Sequence, residues 1–298
     1  MRHCIAALGI ALILPAVFPS ISRAQSGTPR AYGLTPVGAT TVFVNLTGST
    51  TETNTDSNLS LPNNEFVNRS AVATILYSFP LGERYGGLAM TGGQARVRSS
   101  GPSHDEETTG WVDPSITFHV NFFGGPALTR DQYASFIPET YSTFHLTINA
   151  PLGAYDRNSP LNSGANRWAI SPLINYSITP DKGVSWIDLY AGAQIYTAND
   201  EYQGGKRLTQ SPLVTLTAYY SHNIISTIWA GIGAYYRNGG GSSINGVSQD
   251  NALSVVRPSA AVSAKLGQFR FTLRFDSQAS DSKTQSGLFM LQISSPPF

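Results

Sequence analysis

Cysteine is almost absent from this 298-residue chain: Cys4 is the only one, and it stands ahead of the apolar run at the amino terminus. Neither disulfides nor thiol ligands can hold the rest of the chain, so its stability has to come from packing and backbone pairing. Charge is scarce too, with only 12% of residues Asp, Glu, Lys or Arg. Setting aside Arg2 and Arg23, which fall in the leader described below, leaves 17 of the 19 basic residues against 18 acidic ones. That balance lacks the basic surplus of a nucleic-acid-binding protein. There is no phosphate loop, no GxSxG elbow, no dinucleotide fingerprint and no HExxH pair, so no cofactor or metal is expected. Beyond the leader no apolar run reaches the roughly 18 residues of a membrane-spanning helix. Spanning strands are not excluded, because their apolar residues are spread over alternate positions.

What is present is a leader and many strand-forming segments. Arg2 and His3 precede an apolar run from Ile5 to Phe18, and Ser22 and Ala24 stand at small-residue spacing before Gln25. The pattern predicts a secretory signal peptide over 1–24, cleaved after Ala24. The run is too short, and too broken by Pro15 and Pro19, to anchor in a bilayer. Residues 25–298 are then one exported domain.

Ile116, Phe118, Val120 and Phe122 alternate with Thr117, His119 and Asn121. Phe144, Leu146 and Ile148 repeat the pattern against Thr143, His145, Thr147 and Asn149, as do Phe269, Phe271, Leu273 and Phe275 against Arg270, Thr272, Arg274 and Asp276. A period of two sends one set to each face of a strand. Less regular segments near 40–48, 69–79, 86–98, 167–178, 186–197, 212–221, 227–237, 252–266 and 287–295 bring the expected strands to twelve.

The connections alternate in length. Long polar ones at 49–68, 99–113, 150–166, 198–211, 238–251 and 277–286 each follow an odd-numbered strand; those at 80–85, 180–185, 222–226 and 267–268 are short. One exception, 124–138, has room for a short helix. A soluble sandwich has no reason to sort its loops by side, whereas an outer-membrane barrel has short periplasmic turns and long extracellular loops. The chain therefore reads as all-β, a transmembrane antiparallel β-barrel of about twelve strands in a bacterial outer membrane. Its expected partners are the lipid bilayer, the outer-membrane assembly machinery, for which the terminal aromatic Phe298 is a mark, and a small-molecule solute; nucleic acid is not among them. Pro296 and Pro297 are expected to cap the last strand, since proline cannot donate a ladder bond.

The apolar sets should face lipid and the polar sets the lumen. Gly267-Gln268 fits a two-residue hairpin with glycine first, which fixes a register. Leu266 pairs with Phe269 outside, and Lys265 meets Arg270, Ala261 meets Arg274 and Ser259 meets Asp276 inside, with Arg257 one diagonal from Asp276. Arg257, Lys265, Arg270, Arg274 and Asp276 are thus the candidate lumen and selectivity residues, either a ladder bracing the wall or a field favouring anions. His119 and His145 join them if residues whose numbers sum to about 264 pair. Two histidines are too few for a metal site. Asp105, Glu106 and Glu107 read as a solvated loop tip. His145 with Thr147, and His222 with Ser221 and Asn223, are only fragments of a hydrolytic triad.

The stretch GWVDPSITFHVNFFG from Gly110, then PLGAYDRNSPLNSGANRW from Pro151, NDEYQGG from Asn199, SPLVTLTAYYSHNI from Ser211 and YYRNGGGSSINGV from Tyr235, follow one order and spacing. In these the chain resembles the outer-membrane family named for the meta-pathway of phenol degradation, over roughly 35–298. The resemblance implies a barrel linked to uptake of aromatic or other hydrophobic compounds and defines no catalytic site. A passive channel or transporter is the leading expectation; an outer-membrane enzyme and a structural or host-contact barrel working through its loops are the alternatives.

Overall fold

The computed structural model describes residues 27–53, 64–101, 104–277 and 284–298. The expected signal peptide lies outside the described residues. The chain opens with β1 (Thr40–Thr53), β2 (Asn64–Leu81), β3 (Arg84–Gly101) and β4 (His104–Trp111). Next come β5 (Ser115–Phe123), helix α1 (Arg130–Ala134), β6 (Tyr141–Asn149), β7 (Ala169–Ile178) and β8 (Ser185–Tyr196). The short strands β9 (Asn199–Tyr202) and β10 (Lys206–Gln210) precede β11 (Leu213–Ile225) and β12 (Ile228–Gly239). After β13 (Ser242–Ile244) and β14 (Val247–Ser248), the chain ends in β15 (Leu253–Leu266), β16 (Phe269–Ser277) and β17 (Thr284–Ser294).

Twelve strands, all but β4, β9, β10, β13 and β14, form a closed antiparallel barrel. Sequence neighbours pair throughout, and β1 meets β17 to close the ring, from Phe43 opposite Ser294 to Thr53 opposite Thr284. Closure matters because lipid offers no partner for a free N–H or C=O, so an open edge could not stand in the hydrocarbon. Pairing continues past β17. Ser295 donates to the carbonyl of Val42, and Phe298 exchanges backbone bonds with Thr40 at 3.0 and 2.8 Å, so Pro296 and Pro297 interrupt the ladder without ending it.

Both predicted registers are found. His119 stands opposite His145 with Phe118 opposite Leu146, and the 267–268 turn pairs Leu266 with Phe269 and Ser259 with Asp276. Gly267 has φ +60°, which L side chains adopt reluctantly, and this lets two residues reverse the chain. The apolar sets lie on the outside: Ile116, Phe269, Leu273 and Phe275 are exposed on the protein itself, as are Met90 and Ile232, and only lipid can cover them. Aspartate at Phe271 is expected to destabilise the barrel by about 1–3 kcal/mol, somewhat less than a basic residue at the midplane. Spin labels report the same geometry: a label at Phe118 should meet lipid and one at Thr117 the lumen, and the reverse pattern would refute the register.

The extracellular segments differ most from expectation. Much of 49–68 and 99–113 is strand: β2 and β3 run 18 residues each, and β4 pairs back along β3 from Gln94–Trp111 to Gly101–His104. That is well beyond the roughly 9–11 residues that cross the hydrocarbon. Asp105, Glu106 and Glu107 therefore lie in a strand, where Arg98 binds Asp105 at 2.6 Å and Arg96 binds Glu107 at 2.7 Å in solvent. Likewise β9, β10, β13 and β14 make a small four-stranded sheet within 198–211 and 238–251. On the opposite side, the one long periplasmic connection holds α1, started by a capping box between Thr129 and Gln132.

Candidate functional site

The lumen is not empty. Residues 27–39, which precede β1, thread through it: Thr28, Pro29 and Ala39 are buried. Arg30 is their main anchor. Its backbone N–H donates to Asp188 Oδ2 at 2.9 Å, Nε to Ser221 Oγ at 2.8 Å, Nη1 to Asn223 Oδ1 at 2.5 Å and Nη2 to the carbonyl of Val184 at 3.2 Å, while the guanidinium lies 5.3 Å from the Trp229 ring. Burial lowers its pKa to about 10, which leaves it cationic at neutral pH. Tyr32 is the second anchor. Its ring lies 3.9 Å from that of His145 and 5.7 Å from that of Tyr190, and its carbonyl accepts from the Tyr141 hydroxyl at 3.0 Å. Thr35 follows, in a hydroxyl cluster with Ser78 and Tyr85.

The wall is built to receive this segment. His145 bonds Asn175 Oδ1 at 3.1 Å, Asn175 donates to Ser177, and Ser177 donates to Asp188 Oδ1 at 2.6 Å, so both Asp188 oxygens are engaged, one by the wall and one by Arg30. His119 and His145 come together as the register requires, with rings 5.4 Å apart, and continue a row of rings from Tyr85 to Tyr32. A glycine makes this possible: a Cβ at Gly87 would stand 2.4 Å from His119 Nε2. The segment separates two cavities. One of about 270 Å³ lies against His119, Asn121, Asn45 and Thr91; the other, of about 380 Å³, opens among Trp186, Trp229, Phe136 and Arg270 near the short turns.

The remaining candidates occupy the facing wall, in different circumstances. Arg274 and Asp276 form a buried fork, Nε to Oδ1 at 2.7 Å and Nη2 to Oδ2 at 2.6 Å, and Ser259 and Tyr235 add hydroxyl donors to the carboxylate. This pair braces the wall, and Arg274 also donates to the carbonyl of Gly27 at 3.3 Å. Arg257 is half-buried beside it, Arg270 reaches Ser263 and lines the larger cavity, and Lys265 is exposed at the turn. The hydrolytic fragments separate. Ser221 and Asn223 are spent on Arg30, and Thr147 bonds Thr117 at 2.8 Å. His222 is exposed and meets Ser185 Oγ instead, at 2.8 Å; among the described residues no carboxylate is hydrogen-bonded to it.

At the extracellular end Asp113 ties down the 150–166 connection by accepting the N–H groups of Gly153 at 2.9 Å and Ala165 at 2.8 Å. Burial raises its pKa against the pull of those two bonds. This is what the Asp-Pro of the quoted motif does: it fixes a loop across the mouth. Sequence reading missed Arg30, Tyr32 and Asp188. Of these only Asp188, a lone acid inside an otherwise apolar strand, left a signal in the sequence.

A closed, lipid-facing barrel with polar side chains and a folded peptide inside defines a transmembrane β-barrel of the bacterial outer membrane. The chain belongs to the family described as "Putative MetA-pathway of phenol degradation", whose model matches residues 25–291. The barrel is similar to the COG4313 outer membrane channel from Pseudomonas putida F1, with a TM-score of 0.79 at 19% identity over 92% of this chain and 100% of that one. It is also similar, at a TM-score of 0.53 and 10% identity, to the beta domain of the Bordetella autotransporter BrkA, over 87% of this chain and 99% of the other. Comparison with curated proteins gives no match.

Proposed function

We propose that this protein is a passive outer-membrane channel for small solutes, among them aromatic or other hydrophobic compounds, and that its lumen arginines favour those carrying a negative charge. The observation that carries the reading is the way the lumen is filled. It is occupied by residues 27–39, joined to the wall through side chains and a few backbone bonds and flanked by cavities on both sides. Residues 27–37 of it can be displaced without breaking a barrel ladder bond, as a passive path requires. The family description and the channel of similar fold agree with this role. The pairing of the aromatic Phe298 with Thr40 at the closing seam supports recognition by the outer-membrane assembly machinery.

Arg257 and Arg270 are the lumen cations to test for selectivity: Arg270 lines the larger cavity, and Arg257 stands on the inward set of β15 with Ser259 and Ala261. Replacing both by glutamine should move the reversal potential of the channel, measured across a salt gradient in a planar bilayer, away from anion preference while the barrel stays folded. An unchanged reversal potential in a conducting double mutant would assign both residues to bracing alone.

A further inference from the structure

At the extracellular end of the lumen several buried N–H donors have no acceptor. Arg167, only 5% exposed, spends Nη2 on Gln210 Oε1 and stacks its guanidinium 4.4 Å above the ring of Tyr196, while Nε and Nη1 have no hydrogen-bond partner. Gln194, 3% exposed, accepts from the Tyr196 hydroxyl at 2.8 Å, and its own Nε2 donor is unpaired. Arg237 Nε is a further buried donor without a partner. The register sets these groups on neighbouring strands at the same end of the barrel. Tyr196 pairs with Ala169, two residues beyond Arg167; Gln194 pairs with Leu213 of β11, and Arg237 pairs with Thr215, the next inward position on that strand.

We infer that Arg167, Gln194 and Arg237 form a recognition site for a carboxylate around the ring of Tyr196. Leaving a buried donor unsatisfied is costly, more so when it is charged, and four such donors spread over neighbouring strands line a stretch of wall that a group rich in acceptors would complete. A carboxylate brings two oxygens with about four lone-pair sites and no donor, and it matches the planar fork of arginine. The neighbouring acid does not supply this. Asp113 already accepts from Gly153 and Ala165, and the Asp276 carboxylate is taken by Arg274, Ser259 and Tyr235. Tyr196 is held by Arg167 on its face and Gln194 at its hydroxyl, which fixes the donors around it.

The site rests on the lumen being a solute path, and its position suits a first contact for a carboxylate entering from outside. Benzoate is the probe, with benzyl alcohol as its neutral counterpart, titrated calorimetrically into the full-length protein in detergent. Wild type should bind benzoate saturably, Arg167→Gln should weaken it about tenfold or more, and benzyl alcohol should not distinguish the two. Equal benzoate affinity in wild type and Arg167→Gln, or no saturable binding by wild type, overturns the site. If Arg167→Gln fails to fold, as judged by the heat-modifiable migration of the barrel, Gln194→Leu takes its place, with a severalfold loss expected and an unchanged affinity overturning the proposal. Wild type that conducts without binding benzoate would refute this site alone, whereas wild type that never conducts would refute the channel.

Discussion

Arg30→Ala combined with Tyr32→Ala is expected to convert an intermittently conducting channel into a steadily conducting one. Arg30 makes two side-chain bonds to Ser221 and Asn223 and one to the Val184 carbonyl, all from a cation held in the lumen. Hydrogen bonds to charged groups contribute about 1.5–3 kcal/mol each, so losing the guanidinium costs the closed state roughly 3 kcal/mol or more even with water replacing part of it. At about 1.4 kcal/mol per factor of ten, the ratio of displaced to seated segment rises on the order of a hundredfold. Tyr32→Ala adds the loss of its contacts with His145 and Tyr190. Single-channel recording would show longer open times. Liposome swelling would show faster solute entry, and no change in either would mean that the segment does not obstruct the path.

Asp276→Leu should be the most destabilising single change in the inner wall. The Arg274 and Asp276 side chains are 3% and 1% exposed, and the carboxylate takes two donors from arginine and two more from Ser259 and Tyr235. Removing one partner of a buried pair leaves an uncompensated charge, at a cost of about 3–5 kcal/mol. Urea unfolding in detergent, followed by the loss of the fast-migrating folded band, should give a lower midpoint. The double variant Arg274→Leu with Asp276→Leu should regain much of the loss, because no charge is then stranded. A single variant as stable as wild type would mean that water reaches the pair and screens it.

The barrel was legible in the sequence because a strand crossing lipid must be apolar on one face and is free to be polar on the other. Where both conditions act, as at 115–123 and 269–276, boundaries and register follow from the alternation and from one turn. Where lipid is absent the signal disappears. The outer tips of β2 and β3, at 64–68 and 99–101, and β4 up to Gly110 carry no sustained apolar alternation, so Thr-, Ser- and Glu-rich strand looked like loop. The candidate site was half legible for a similar reason. Period two shows that Arg274, Asp276, His119 and His145 face inward but not what they meet there. The Arg274–Asp276 fork involves neighbours on one strand, yet Tyr235 and Ser259 come from two others. Arg30 and Tyr32 belong to an irregular segment with no periodicity, and their partners lie more than a hundred residues away. Only folding brings them together.

The central claim, that residues 27–39 occupy a solute path and must leave it for passage, is tested most directly by tethering them. With no cysteine in 25–298, Tyr32→Cys with His145→Cys places a pair where the native rings lie 3.9 Å apart, to be joined directly or through a short disulfide-forming reagent. Recorded in planar bilayers, the joined protein should carry no current above the bilayer baseline, and reduction should restore conduction in the same membrane. Equal current before and after reduction, with the bridge verified by mass, would contradict the account.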